Sequence, residues 1–287
     1  MREEPRRIWL CADDYGLSPG VSAGIRRLIS RGRLNAASVM VVSPHFDAGE
    51  AQALAALNAG TPRAALGLHV TLTGPFTPMS ANFAPLRDGR FPALKDLMRL
   101  AVTRRLSPEH LTIEIGTQLR TFRDAFGRLP DFIDGHQHVQ LLPQVRDAFL
   151  KVAAEAAPAA WVRQCGRPRA ARRLRDRKAL VLDVRSVRFR SKAQRLGVAT
   201  NPAFAGAYEF TADADYAAAF PRFLTGMPDG GLIMCHPGFA DAELKQLDPL
   251  TTLREHEFAF FDSDAFPQAL AANGVALASP GETAAAP

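Results

Sequence analysis

The chain has 287 residues, 47% of them hydrophobic and 22% charged, with a net charge of +6 and three cysteines. No apolar run approaches the ~18 residues of a membrane-spanning helix. The charged opening segment has no room for the apolar region of a signal peptide. No cysteine pair has Cys-x-x-Cys spacing. We therefore expect a cytoplasmic protein without a disulfide framework.

The positive charge is concentrated in one tract, residues 163–178. Eight Lys or Arg and one Asp give this tract +7, so the other 271 residues sum to −1. A nucleic-acid-binding protein normally spreads basic residues over a face, and we expect no nucleic-acid partner. The tract is interpreted either as a solvated basic insertion or surface helix, or as a site that recruits an anionic substrate.

Short apolar runs alternate with amphipathic segments along the chain. Strands are predicted over residues 8–12, 38–43, 66–72, 132–133, 161–162, 232–235 and 275–278. Helices are predicted over residues 19–32, 48–59, 108–126, 143–157, 214–224, 253–261 and 266–272. Residues 74–93 form a predicted long loop, which is uncommon unless functional.

Strands that alternate with helices predict a parallel sheet with helices outside. About seven such units favour a TIM-like (β/α) barrel, incomplete or distorted, in a single α/β domain over residues 1–279. Residues 280–287 are predicted to be a disordered tail. No Gly-x-Gly-x-x-Gly motif follows a strand and no P-loop is present.

Polar side chains follow four of the predicted strands. They are Asp13 and Asp14, then His69, then His136 and His138, and finally His236. Because the carboxyl ends of parallel strands meet on one face, we expect these side chains to converge there. Two imidazoles and a carboxylate suit a divalent cation with open positions, and a neighbouring carboxylate can take a proton from water.

Each of these elements also has a simpler interpretation. The Asp13-Asp14 pair is typical of a turn or a helix cap, and His69 in an apolar strand is typical of a core histidine. His136 and His138 are the more specific element, because side chains two apart in an extended segment lie on the same side and could act together. The combination at four strand ends favours the metal site over the simpler interpretations.

The sequence resembles the YdjC-like carbohydrate deacetylases, the group of chito-oligosaccharide and hopanoid-biosynthesis deacetylases. The resemblance spans about residues 7–279. The matching segments, in order, are residues 12–18, 67–73, 134–139, 200–201, 236–239 with Asp241, and the pair Arg254 and Glu257.

This resemblance implies a distorted barrel and a divalent-metal-dependent N-deacetylase. It implies that Asp14, His69 and His136 bind the metal, that Asp13 is the general base, and that His236 protonates the leaving amine or holds the oxyanion. The predicted cofactor is Mg²⁺, with Zn²⁺ as the alternative. The expected substrate is an N-acetylated sugar or glycoconjugate, and a homodimer is possible by resemblance.

Two further residues are predicted to contact substrate, His138 and Arg254. The i,i+3 spacing of Arg254 and Glu257 also favours a structural pair between them. The sequence departs from the family pattern at Gln140, where the family commonly has a third histidine.

Two other function classes fit parts of the pattern. One is a metal-dependent amidohydrolase or phosphoesterase, although amidohydrolases usually carry His-x-His on the first strand. The other is a non-enzymatic protein that uses the basic tract to bind nucleic acid or an anionic surface.

Overall fold

Strands and α-helices alternate along residues 4–172, 177–211 and 214–280, the part of the chain that the computed structural model describes. The strands are β1 (Arg6–Tyr15), β2 (Ala36–Val39), β3 (Ala65–Val70), β4 (Phe132–Gly135), β5 (Trp161–Val162), β6 (Phe204–Ala205), β7 (Leu232–Cys235) and β8 (Val275–Leu277). The helices are α1 (Pro19–Ser30), α2 (Ala48–Ala56), α3 (Leu94–Val102), α4 (Pro108–Phe126), α5 (Val145–Ala156), α6 (Arg177–Arg195), α7 (Tyr216–Phe223), α8 (Ala242–Leu247), α9 (Thr252–Asp262) and α10 (Ala265–Ala272).

The sheet is parallel throughout, with strand order β5-β4-β3-β2-β1-β7-β6, and β8 pairs with the first residues of β1. The segments next to the two outer strands, β5 and β6, are joined by backbone hydrogen bonds outside the regular strand pairing. Val162 N donates to Ala199 O at 2.8 Å, and Phe204 N donates to Gly166 O at 2.9 Å. The predicted distorted barrel in a single α/β domain is confirmed.

Aromatic side chains fill the interior between distant strands. Trp9 on β1 lies 6.2 Å from Trp161 on β5, and Phe132 on β4 stacks on Trp161 at 4.6 Å. Because three strands separate β1 from β5 in the sheet, the contact between the two tryptophans crosses the barrel. Gly67 on β3 leaves the space for Phe132, since a Cβ there would lie 2.2 Å from that ring. The interior is therefore a packed core.

Local sequence signals set the predicted helix starts. Ser18 caps α1 by accepting from Val21 N, with a proline in the first turn, and Ser107 caps α4 by accepting from His110 N. Such side chains satisfy the free amides of a first turn. Gly127 ends α4 in the left-handed conformation at φ 66°, which glycine adopts without a Cβ penalty.

Several predicted boundaries differ from the structure. The second strand covers Ala36–Val39 instead of 38–43, because the apolar run continues into the turn after it. Helices α3, α6 and α8 and strand β6 were not predicted. Helix α6 lies in the arginine-rich region, where charges interrupt the apolar period. Residues 173–176 of the basic tract and 281–287 of the predicted tail lie outside the described residues. Among the described helices, none is long and apolar enough to cross a membrane.

Candidate active site

The polar side chains predicted at strand ends converge at the carboxyl face of the barrel. Strand β1 carries Asp13 and Asp14, β3 carries His69, His136 follows β4, and His236 follows β7. The register between β3 and β4 places Asp134 directly opposite His69. Side chains from four strands therefore surround one position, as expected for an α/β barrel.

Three of these residues form a cluster of metal-type donors. Asp14 Oδ1 lies 3.3 Å from His69 Nε2 and 3.1 Å from His136 Nδ1, and the three donor atoms lie within 4.8 Å of one another. All three residues are buried. Asp14 reaches this position because the pairing of β1 with β2 becomes irregular between Ala12 and Tyr15, where Asp14 adopts φ 68°. One carboxylate and two imidazoles in this arrangement fit a divalent cation.

The imidazole of His69 is oriented by its second nitrogen. His69 Nδ1 lies 2.6 Å from Asp134 Oδ1 and 3.0 Å from Ser38 Oγ, and Ser38 also donates to Asp134 at 2.5 Å. Burial by itself lowers the pKa of His69, but the Asp134 and Asp13 carboxylates outweigh burial and raise it to about 10. A carboxylate on one imidazole nitrogen directs the other nitrogen towards a metal.

The Asp13 carboxylate is held by a buried arginine. Arg163 Nη1 and Nη2 donate to the two Asp13 oxygens at 2.6 Å each, and Nη2 also lies 2.5 Å from Asp134 Oδ2 and 3.1 Å from Cys11 Sγ. Burial raises the pKa of Asp13, but the Arg163 guanidinium outweighs burial and lowers it to about 2. Asp13 is therefore ionised at neutral pH, the form that can accept a proton.

The interpretation of residues 163–178 as one solvated basic tract is wrong for Arg163. Its side chain is fully buried and neutralises two carboxylates at the site. The backbone of Arg163 continues the line of β5, and its N donates to Ile133 O at 3.1 Å on the neighbouring strand. A charge count along the chain cannot distinguish such an inward-facing arginine from solvated ones.

Arg254 on α9 also binds a site carboxylate. Its Nη2 donates to Asp14 Oδ2 at 2.6 Å and to Asp248 Oδ2 at 3.1 Å, and its Nε donates to Leu250 O. The predicted pairing of Arg254 with Glu257 is therefore wrong, because the guanidinium points towards β1. Contact of Arg254 with substrate stays a prediction.

His236 is positioned through its backbone by a buried carboxylate. Glu257 Oε2 accepts from His236 N at 2.5 Å, and its Oε1 accepts from Tyr208 Oη at 2.7 Å. His236 Nδ1 is buried and has no hydrogen-bond partner within the described residues. Burial lowers the pKa of His236, although Asp14 and Asp13 act in the opposite direction. The imidazole is therefore neutral at neutral pH and can donate one N–H bond.

Glu257 predicts a specific pH dependence of stability. Burial raises its pKa from 4.5 to about 7, while the bonds from Tyr208 and His236 oppose the shift. The folded state then binds more protons than the unfolded state between pH 4.5 and 7. This stabilisation is complete below about pH 4.5 and is lost as pH rises through about 7, by about 1–3 kcal/mol.

Denaturant unfolding of wild type and Glu257→Gln over pH 4.5–8 measures this effect. We expect the variant to lack the component of pH dependence that the wild type has in this window. Tyr208→Phe is the companion variant. The Tyr208 hydrogen bond lowers the pKa of Glu257, so its removal is expected to raise that pKa and to extend the pH-dependent loss of stability to higher pH. Parallel curves for wild type and Glu257→Gln would contradict the prediction.

The segment after β4 differs from the extended conformation that was predicted. His136–Leu141 is a 3₁₀ segment in which Gln137 and His138 have φ 54° and 57°. The two imidazoles therefore separate: His136 faces Asp14, whereas His138 Nδ1 lies 3.6 Å from Cys165 Sγ. Burial, followed by Arg163, lowers the pKa of His138 to about 3. Its contact with substrate stays a prediction.

Gln140, the departure from the family pattern, has a structural contact. Its Nε2 donates to Arg163 O at 3.3 Å, and Gln140 is fully buried. It therefore joins the segment after β4 to the residue that follows β5.

The predicted long loop reaches the donor cluster. Phe76 is buried and lies 6.5 Å, edge to face, from the ring of His136. The loop is anchored by Glu114 on α4, whose carboxylate accepts from Met79 N at 3.1 Å and from Ser80 N at 2.8 Å. Residues 74–93 therefore contribute an apolar wall beside His136.

Comparison with known proteins agrees with these motifs. The family model described as YdjC-like protein matches residues 7–272. The chain belongs to the YdjC-like family. The match contains every donor and charged residue of the site described above.

Named relatives and a solved structure extend the comparison of this YdjC-like chain. It is 28% identical over 245 residues to a chitooligosaccharide deacetylase of Citrobacter koseri, covering 84% of this chain and 85% of that protein. A Serratia marcescens protein of the same name is 29% identical over 244 residues, covering 82% and 83%. A crystal structure from Enterococcus faecalis, of a protein whose proposed role is cellobiose-phosphate cleavage, has a TM-score of 0.72 at 22% identity and covers 96% of this chain and 98% of its own. This structure supports the fold.

Four site residues in this YdjC-like chain had no predicted role. Ser38 and Asp134 orient the His69 ring. Arg163 donates to the Asp13 carboxylate, and Asp248 accepts a second hydrogen bond from the Arg254 guanidinium that binds Asp14. Asp134 and Arg163 do carry a signal, because each lies at the carboxyl end of a predicted strand. Ser38 and Asp248 have no such signal in the sequence.

Proposed function

We propose that the protein is a metal-dependent hydrolase that removes the acetyl group from an N-acetylated sugar or glycoconjugate. The observation that carries this proposal is the cluster of three metal-type donors, Asp14, His69 and His136, next to the ionised Asp13 carboxylate that Arg163 holds. The deacetylase names of the two relatives support the reaction and the sugar class. An amide hydrolase needs a polarised carbonyl, an activated water and a protonated leaving amine.

Asp14, His69 and His136 are the proposed metal ligands. A divalent cation bound there supplies Lewis-acid polarisation of the acetamide carbonyl and lowers the pKa of water. The two imidazoles suit Zn²⁺, whereas a shell completed by water oxygens suits Mg²⁺. Asp134 keeps the His69 ring in the ligating orientation, and Arg254 supports the Asp14 carboxylate.

Asp13 is the proposed general base. Arg163 fixes its orientation and keeps it ionised, so that it can take one proton as a water oxygen bonds to the carbonyl carbon. The C–N bond then breaks, and the nitrogen receives a proton. The proton that the nitrogen receives is the one that Asp13 took from water. His236, held by Glu257 on the same rim, is proposed either to donate its one N–H to the developing oxyanion or to relay that proton from Asp13 to the amine.

Acetate release is the direct test of the proposed function. A screen of N-acetylated sugars, with the protein stripped of metal and reloaded with Mg²⁺ or Zn²⁺, is expected to show release only after reloading. Equal release by the stripped protein in the presence of a chelator would overturn the metal dependence. No release from any N-acetylated sugar with either metal would overturn the reaction.

His69→Ala predicts loss of the metal itself. The substitution removes one of three ligands and leaves the Asp134 carboxylate without its imidazole partner, so we expect at least about 100-fold weaker metal binding. Calorimetric titration with Zn²⁺ measures this directly. His110→Ala is the control, since His110 lies on α4 outside the donor cluster, and it is expected to bind metal as the wild type does. Unchanged affinity in His69→Ala would contradict the assignment.

A further inference from the structure

A groove between α6 and the end of α3 combines apolar walls with arginines. It has a volume of about 560 Å³. The apolar lining residues are Val102, Leu141, Pro143, Leu180, Val181 and Val184. Arg146, Arg185 and Arg188 complete the lining. The groove lining shares no residue with the donor cluster, although Leu141 ends the 3₁₀ segment that begins at His136.

The outer face of α6 exposes aliphatic side chains at helical spacing. Val181 is 48% exposed, Val184 is 61% exposed and Val187 is 49% exposed, and Val102 across the groove is 60% exposed. Residues three apart lie on one side of a helix, so the three valines form one stripe. The opposite side of α6, with Phe189 and Ala193, is packed in the core. A stripe of this kind marks an interaction surface.

The same region carries the excess of positive over negative charge in this chain. Residues 163–195 contain thirteen Lys or Arg and two Asp, a net charge of +11, which leaves −5 for the rest of the chain. Within 180–195 the acidic residue is Asp183, which is paired with Arg167 at 2.9 Å. Arg185 and Arg188 have no hydrogen-bond or ion-pair partner among the side chains that the structure describes, those of residues 4–172, 180–211 and 214–280. Both arginines line the groove, where an external anion can reach them.

We infer that this groove and the valine stripe dock on an anionic phospholipid membrane. Valines interleaved with arginines on one exposed helix face match the interface of a bilayer, where aliphatic groups enter the acyl boundary and guanidiniums bind phosphate headgroups. Nucleic acid would pair with the arginines but would offer nothing to four exposed valines. The inference concerns surface binding and is independent of the proposed deacetylase reaction.

Vesicle cosedimentation with the full-length protein tests this inference. We expect binding to phosphatidylglycerol vesicles that weakens with salt, and little binding to phosphatidylcholine vesicles. Arg185→Gln combined with Arg188→Gln is expected to weaken binding about 30-fold, since each basic residue near the surface contributes about fivefold. Val184→Asn is expected to weaken the binding that remains at high salt.

Matched controls separate the groove from net charge alone. Arg63→Gln combined with Arg222→Gln removes two exposed arginines elsewhere on the surface and is expected to bind like the wild type. Equal loss in the two double variants, or no wild-type binding to phosphatidylglycerol, would overturn the inference. Release of the protein from vesicles by millimolar inorganic phosphate would assign the arginines to a free anion instead. Tighter binding to duplex DNA that Val184→Asn leaves unchanged would assign the surface to nucleic acid.

Discussion

Asp13→Asn is expected to lower the rate of acetate release by about 10²–10⁴-fold while the protein still binds its metal. Asparagine keeps a carbonyl oxygen for one hydrogen bond from Arg163 but cannot take a proton from water. Single-turnover acetate release and metal content, measured on the same preparation, give the two quantities.

The neighbouring carboxylate is the matched control for this experiment. Asp14→Asn changes the adjacent residue on the same strand, yet its oxygens contact His69, His136 and Arg254. We expect Asp14→Asn to lose metal and activity together. Full activity in Asp13→Asn, or equal loss of metal in both variants, would contradict the division of roles between the two residues.

Arg163→Met is expected to lower the free energy of unfolding by about 3–5 kcal/mol. The substitution leaves the buried carboxylates of Asp13 and Asp134 without the guanidinium that joins them, and removing one partner of a buried charge group has a cost of this size. The same change is expected to raise the pKa of Asp13, since the guanidinium is what holds it near 2. Denaturant unfolding at pH 7 measures the free energy.

A surface ion pair supplies the comparison. Arg128 pairs with Asp131 at 2.7 Å, with both side chains about 40% exposed, and solvent screens such pairs to about 0–1 kcal/mol. We expect Arg128→Met to stay in that range. Similar losses in Arg128→Met and Arg163→Met would show that the buried arrangement around Asp13 contributes no more than a surface pair.

The convergence of Asp14, His69 and His136 was predictable from the chain because of one geometric rule. Parallel strands end on one face, so a polar residue at the end of each predicted strand must approach the others. The same rule also places Arg163 at the site, since it follows the strand Trp161–Val162. The count of charges along the chain grouped Arg163 with the basic tract instead, because seven other basic residues lie in the same sixteen positions.

Local conformation was less predictable than strand position. His138 was expected beside His136 from a period of two, which holds only while the backbone is extended. The chain instead turns through left-handed residues immediately after β4, and the two rings separate. Helix α6 was also missed, because its arginines interrupt the apolar period even though Phe189 and Ala193 pack inward.

The sequence by itself determined the parallel α/β barrel, the YdjC-like motifs and the set of carboxylates and imidazoles at the strand ends. Only the tertiary structure decided which cation neutralises which carboxylate. Arg163 meets Asp13 across 150 positions of the chain, and Arg254 meets Asp14 across 240. A buried charge must find a partner, because leaving it unpaired costs several kcal/mol, but which partner lies within reach depends on how strands and helices pack.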